Sequence, residues 1–406
     1  MDFSALGLRS SLLRGIDDLG FSSPTPIQTQ AIPPALAGRD VLACAATGSG
    51  KTAAFLLPVL DQLADTAKGT TRALVLAPTR ELALQILADF NDLARHTRLT
   101  GAAIHGGVGM GPQERALKQG VDVIVATPGR LLDHFQRGNA PLRGLEVLVL
   151  DEADRMLDMG FLPDIKRVLR HVPRPKQTLF FSATMPPAIE KLTRELLTDP
   201  ATVALQRKAA PASGVTQTVY PVPAAQKGAL LVELLRSEGM DDALVFTRTK
   251  HGANRLTKLL NKHGVSAERI HGNRSQNQRT KALAGFQAGD FQVLVATDVA
   301  SRGIDVEELG HVVNYDLPTV PEDYIHRVGR TARAGETGDA FTFVTPEDEP
   351  EMSRIERAIG AKLPRVHLEG FDYTAIPPKS DIDESAPRGA QSRGRSRGRN
   401  GRGRRR

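Results

Sequence analysis

Short apolar runs recur along the chain, and each ends in a polar or glycine-containing turn. Val41-Leu42-Ala43-Cys44, Ala73 to Ala77, Val121 to Ala126, Leu145 to Leu150 and Thr178 to Phe181 are mostly apolar and do not alternate. Strands that read this way are buried on both faces, because a strand with one wet face alternates. Helical signals fill the stretches between them. Gln28 to Leu36 reads as a short helix closed by Gly38-Arg39-Asp40, and Glu81 to Phe90 is amphipathic. Pro58 falls inside the helix that opens near Thr52, and the apolar pattern resumes at Val59 and Leu60, which predicts a kink rather than a break. Strands alternating with helices imply an α/β fold of mainly parallel sheets with helices on both faces.

The second half echoes the first. Ala73-Leu74-Val75-Leu76 and Thr79-Arg80 return as Ala243 to Arg248, Ile104-His105-Gly106 as Ile270-His271-Gly272, and Val125-Ala126-Thr127 as Val295-Ala296-Thr297, offset by 166 to 170 residues. Three echoes in one order suggest two copies of one unit, against chance likeness among Val- and Ala-rich strands. The expected layout is a first domain over residues 1–205, a linker over 206–216, a second domain over 217–368 and a disordered tail over 369–406.

Charge refines this picture. The net charge is +7, yet nine arginines and no acid lie between Ala386 and Arg406, so the rest of the chain is slightly acidic. Such an Arg/Gly tail suits nucleic-acid phosphates without sequence preference. Trp is absent and Tyr is scarce, which argues against a surface of stacked aromatics. The single cysteine, Cys44, forms no internal disulfide. With no apolar run near the ~18–20 residues of a membrane span and no signal-like N-terminus, the expected setting is cytoplasmic.

The chemistry begins at Ala45-Ala46-Thr47-Gly48-Ser49-Gly50-Lys51-Thr52, between an apolar strand and a helix start. In that context the glycines let backbone N–H groups face a phosphate, Lys51 reaches the outer phosphates, and Thr52 offers a hydroxyl to Mg²⁺. Ala45 stands where such loops open with glycine, which is tolerable if its φ is negative. An ordinary Gly/Ser/Thr turn is the alternative. The second half lacks such a loop; its counterpart is sought before Ala243, at Glu238 to Asp242. Asp151 and Glu152 end an apolar strand. Beside a phosphate loop an Asp there can hold Mg²⁺ and a Glu can orient or deprotonate the attacking water; otherwise the pair caps the next helix.

Asp151-Glu152-Ala153-Asp154 carries a resemblance to the DEAD-box ATP-dependent RNA helicases, and the likeness runs through most of residues 20 to 335. Phe21 and Pro24-Thr25-Pro26-Ile27-Gln28 resemble that family's adenine-reading motif. Pro78-Thr79-Arg80-Glu81-Leu82-Ala83, Gly106-Gly107 and Thr127-Pro128-Gly129-Arg130 resemble its RNA-backbone motifs, and Ser182-Ala183-Thr184 the motif coupling hydrolysis to strand separation. Val245-Phe246, Gln276 with Arg279, Thr297 to Asp305 and His326 to Arg333 complete the series. The short tail is most similar to the bacterial RhlE-type subgroup.

The resemblance implies two tandem RecA-like domains closing on one ATP with Mg²⁺. Phe21 and Gln28 would take the adenine, residues 47–52 the phosphates, and Asp305 the ribose. Arg330 and Arg333, otherwise surface arginines on a helix, become arginine fingers. Asp151 and Thr52 would hold the metal. RNA would run along Pro78, Thr79, Arg80, Gly107, Thr127, Arg130, Arg248, Gly272, Arg279 and Thr297, read by backbone contacts with little sequence preference. His105 and His271 read as turn histidines beside it. The expected protein is monomeric, without a membrane, and serves ribosome assembly or RNA decay. Ala46, Ser301 and Ala332 depart from common family residues; Ala332 bears on hydrolysis rate. A slow ATP-gated RNA clamp and a double-stranded DNA translocase are the rivals, and strand displacement and RNA-versus-DNA stimulation separate them.

Overall fold

The structure, a computed structural model, describes residues 2–45, 48–64, 69–139, 142–173, 177–205, 215–237, 239–298, 309–331 and 338–375. The expected sites Thr47, Asp305 and Arg333, the departures Ala46, Ser301 and Ala332, and the arginine tail lie outside those residues.

Two parallel sheets organise the chain. The first lobe contains β1 (Val41–Cys44), β2 (Ala73–Leu76), β3 (Gly101–Ile104), β4 (Val123–Ala126), β5 (Val147–Leu150), β6 (Gln177–Ser182) and β7 (Ala201–Ala204). They lie in the order β3-β4-β2-β5-β6-β1-β7, and every pairing is parallel. Successive strand residues enter opposite cores: Ala73 and Val75 on one face, Leu74 and Leu76 on the other. Each such buried valine or leucine stabilises the fold by about 1.5–3 kcal/mol. The cover consists of α1 (Ser10–Asp18), α2 (Pro26–Leu36), α3 (Lys51–Leu63), α4 (Arg80–Leu93), α5 (Met110–Gln119), α6 (Pro128–Gln136), α7 (Ala153–Asp158), α8 (Leu162–Leu169) and α9 (Pro187–Leu196). Helix α3 continues through Pro58, held by the buried Leu56, Leu57, Val59 and Leu60.

The second lobe contains β8 (Val215–Pro221), β9 (Ala243–Thr247), β10 (Ala267–Ile270), β11 (Val293–Thr297), β12 (His311–Asn314) and β13 (Gly338–Val344), in the order β10-β11-β9-β12-β13-β8. Its helices are α10 (Lys227–Ser237), α11 (Lys250–Lys262), α12 (Gln276–Gln287), α13 (Pro321–Val328) and α14 (Glu349–Ile359). Strand for strand this repeats β3-β4-β2-β5-β6-β1, so the internal repeat is a repeat of topology.

That equivalence corrects one expectation. The strand matching β1 is β8, so the counterpart of the phosphate loop follows β8, at Val222-Pro223-Ala224, and not the stretch before β9. It has no glycine before α10, and Lys227, which opens α10 as Lys51 opens α3, donates to Tyr315 O and Asp348 Oδ2. The limits of the second lobe shift as well. Strand β8 opens at Val215, inside the expected linker. Phe371 and Tyr373 pack on the second core, and Gln226 Nε2 donates to Ala375 O, because two aromatics past Leu368 still have apolar surface to bury.

Candidate active site

The turns singled out in the sequence leave the carboxyl ends of the strands, the edge where open parallel sheets bind ligands. After β1 the chain enters α3 through Gly48, Ser49 and Gly50. Gly48 (φ +76°) and Gly50 (φ +88°) are left-handed, which strains any residue with a Cβ. A Cβ on Gly50 would also lie 2.6 Å from Gln28 Nε2. Gln28 Oε1 accepts from Thr25 N (2.9 Å) and its Nε2 donates to Gly50 O (3.1 Å). The glutamine at the start of α2 is thus bonded to the phosphate turn. Ala45 fits because positive φ among the described non-glycine residues is confined to Glu152 and Asp199. Lys51 opens α3, is buried, and donates from Nζ to Ala45 O at 3.1 Å.

A cavity of about 320 Å³ lies over this turn. Phe21, Gln28, Gly48, Gly50, Lys51, Thr52, Asp151 and Glu152 line it from the first lobe, and Arg330 lines it from the second. Arg330 is only 7% exposed, so it is not a surface arginine on a helix face. Phe21 is 44% exposed, which leaves its ring open to a planar group. Thr52 and Asp151, whose side chains carry the oxygen donors Mg²⁺ prefers, line the same space. Among the described residues no group of three His, Cys, Asp or Glu side chains could hold a metal alone. Phosphate oxygens and water would have to complete such a shell.

The two carboxylates differ. Burial pushes Asp151 up to about 6, against the pull of Lys51. Burial also raises Glu152, but Arg155, Lys51 and Arg330 outweigh it and hold that carboxyl low, at about 2. Glu152 is the residue before α7 and adopts φ 49°, ψ 50°, a conformation that costs a non-glycine residue about 1–3 kcal/mol. Its side chain makes no helix-capping bond, which removes the capping alternative. It pairs instead with Arg155, at 2.6 Å between Oε2 and Nη1.

Asp154, the last acid of the motif, ties α7 to the end of β6. Its Oδ2 accepts from Ala183 N (3.1 Å), Thr184 N (2.6 Å) and Thr184 Oγ1 (2.8 Å), and its own N–H donates to Ser182 Oγ (3.2 Å). The expected coupling residues Ser182, Ala183 and Thr184 are therefore bonded to the short helix that Glu152 immediately precedes.

Residues 25–192 match the DEAD/DEAH box helicase family, and residues 226–335 match the helicase conserved C-terminal domain. A DEAD-box ATP-dependent RNA helicase CshA of Bacillus cereus is 43% identical over 370 residues, which is 91% of this chain and 70% of that protein. The CshA of Geobacillus kaustophilus is 42% identical over 381 residues, covering 92% and 81%. The chain belongs to the DEAD-box ATP-dependent RNA helicases. Among solved structures, S. cerevisiae Dbp5 bound to RNA and ADP BeF3 aligns with a TM-score of 0.83 at 33% identity, over 91% of this chain and 96% of that one. These names do not bear on the RhlE-type subgroup.

In this helicase the residues expected at RNA fall on the same edge of both sheets. Thr79 caps α4, with Oγ1 accepting from Leu82 N at 3.2 Å. The Arg80 guanidinium lies across Gly106 and Gly107, and Gly107 (φ +83°) has no room for a Cβ beneath it. Pro78 and Thr127 follow β2 and β4, and Arg130 Nη1 donates to Val108 O at 3.0 Å. In the second lobe Gly272 and Thr297 sit at the ends of β10 and β11, with open space where a Gly272 Cβ would be. His105 and His271 are buried turn residues. Arg248 and Arg279 have acidic neighbours of their own: Arg248 faces Glu351 at 3.3 Å, and Arg279 crosses to Glu81 of the first lobe at 3.1 Å.

Several contacts were not legible residue by residue. Gln276 joins Arg279 on Glu81, at 3.0 Å. Arg327 forks onto Asp298 at 2.6 and 2.8 Å and fixes the helix that ends just before Arg330. Both lie within the quoted motifs, so a signal existed. Gln85, Asp89 and Asp92 of α4 also line the cavity, and nothing in their spacing marks them.

Proposed function

We propose that this helicase binds ATP in the interlobe cavity, with Lys51 and Arg330 on the outer phosphates, Gln28 and Phe21 at the adenine, and Glu152 as the group that orients and deprotonates the attacking water. The reading is supported above all by Arg330, which reaches from the second lobe into the cavity that holds Lys51, Asp151 and Glu152. Thr52 and Asp151 would hold Mg²⁺, which neutralises phosphate charge when bound. The donor set fits that ion, and the low Glu152 carboxyl is ionised and ready to accept a hydrogen bond from water. Arg330 would meet charge that develops on the phosphate only while the lobes are together, which ties hydrolysis to closure.

RNA would lie across the strand ends of both lobes, contacted through Thr79, Arg80, Gly107, Thr127, Arg130, Gly272 and Thr297. Such contacts fix a strand's position without reading its bases. The related Dbp5, bound to RNA and ADP BeF3, supports binding of RNA and nucleotide together. Glu152→Gln keeps the size of the side chain and removes the base. It is expected to bind ATP and RNA nearly as the wild type does and to lower turnover by about 10²–10⁴-fold. Retained turnover in that variant, measured as phosphate release with saturating RNA, sinks the assignment. The same variant should trap the cellular RNAs, and sequencing them tests a monomeric, cytoplasmic role in ribosome assembly against one in RNA decay.

A further inference from the structure

Three cations lie near the proposed base, and two of them, Arg155 and Arg330, also line one small pocket together. Lys51 and Arg330 line the nucleotide cavity with it. Arg155 does not. It lines a second interlobe cavity of about 430 Å³, bordered by Ala183, Met185, Val320 and His326, and Glu152 forms the wall between the two spaces. Arg155 Nη1 meets Glu152 Oε2 at 2.6 Å, with both side chains 10% exposed. Glu152 makes no capping bond, and among the described residues this is the side-chain hydrogen bond that holds its carboxylate.

We propose that Arg155 is a positioning residue: its ion pair holds one oxygen of the Glu152 carboxylate, so that the other faces the water and the group stays off Lys51 and Arg330. The idea rests on Glu152 being the base. The physical argument is a competition. A carboxylate that lines the same cavity as Lys51 and Arg330 is drawn toward both, and these are the cations that the triphosphate needs. A charge-assisted bond of 2.6 Å to Arg155 fixes the orientation of the carboxylate against that pull. Arg155 sits one turn along α7 from Glu152, so the pair moves as one body when the lobes open.

Arg155→Met keeps length and removes charge; Arg155→Lys keeps charge. With saturating ATP and RNA, single-turnover hydrolysis by Arg155→Met should fall about 10- to 100-fold, while the Kd for a fluorescent ADP analogue changes less than about threefold. Binding survives because the nucleotide's phosphates outcompete one carboxylate for Lys51. Arg155→Lys should recover to within about fivefold of wild type, which lost packing alone would not allow. In a Glu152→Gln background Arg155→Met should have no further effect, since it acts through the carboxylate. The proposal is overturned by a wild-type rate in Arg155→Met, by an equal loss in the Glu152→Gln background, or by a loss of nucleotide affinity that matches the loss of rate. A wild-type rate in Glu152→Gln itself is a different failure and removes the base assignment first.

Discussion

At the residue scale, His134 shows how a buried side chain writes a pH dependence into the first lobe. It is fully buried on α6, with Nε2 3.1 Å from Gln113 Oε1. Gln113 Nε2 donates to His105 O at 2.9 Å, so Oε1 is the acceptor and His134 Nε2 carries the proton. Nδ1 is buried with no hydrogen-bond partner among the described residues. A second proton there would be a buried charge without an acceptor. Burial first, then Arg130 and Arg137, hold His134 below its ordinary value, against Glu114 and Asp133. The folded state therefore binds the proton less readily than the unfolded chain. Stability from this group is complete above pH 6.5 and is lost as pH falls from there toward the folded value. Urea unfolding of the first lobe should lose stability as pH falls below 6.5, with a slope of about 0.7 kcal/mol per pH unit at 6.5 that steepens toward a limit of about 1.4 at lower pH. His134→Gln should be less stable at pH 7.5 and lack that slope. His271 is also held low, by burial, Arg269 and Arg274, so the readout must follow the first lobe's transition. A slope unchanged in the variant rules out His134 as its source.

At the element scale, the strand, turn and helix from β1 to α3 was legible because each part has its own physical signature. A strand buried on both faces reads as an apolar run, and the turn needs glycine where φ is positive. Gly50→Ala tests the turn. Its Cβ meets both a left-handed φ and the Gln28 amide, which is anchored to Thr25 N and has little freedom to retreat. The variant should fold, with a melting point a few degrees lower, and bind ADP at least about tenfold more weakly. Wild-type affinity by titration would show that the turn relaxes around the methyl. Edge strands were not legible. β3 is Gly-Ala-Ala-Ile and is only half-buried, and β7 is a second edge, so both are strands by virtue of their neighbours β4 and β1. β8 hid for the same reason: Val-Thr-Gln-Thr-Val-Tyr-Pro is half polar, ends in proline, and has β13 on one side with an isolated bridge from Val219 to Arg365 on the other. Missing it put the counterpart of the phosphate loop on the wrong side of α10.

At the scale of the whole molecule, the repeat in the sequence located two lobes, but nothing in it said which residues clasp across the gap. Arg279 read as an RNA cation because it shares a motif with Gln276. The structure gives both a partner in the first lobe, Glu81, one residue along α4 from Arg80. The Glu81–Arg279 pair is about as buried as the Glu152–Arg155 pair, with both side chains 11% exposed. Burial lowers the Arg279 pKa and Arg80 adds to this, while Glu81 opposes both, so without Glu81 two guanidinium groups would face each other across the seam. Removing one partner of such a pair costs about 3–5 kcal/mol, and here the cost falls on the closed form alone because the open form solvates Arg279. Glu81→Ala should therefore leave nucleotide binding to the first lobe intact and shift the lobes toward the open form by about 100-fold or more. Interlobe fluorescence transfer with RNA and a non-hydrolysable ATP analogue should report the open distance, and duplex displacement should fall with it. ATP turnover without RNA depends less on this seam and should fall less. If the lobes of Glu81→Ala close normally and displacement is intact, the seam is a bystander, and closure must be driven by the nucleotide cavity and Arg330 alone.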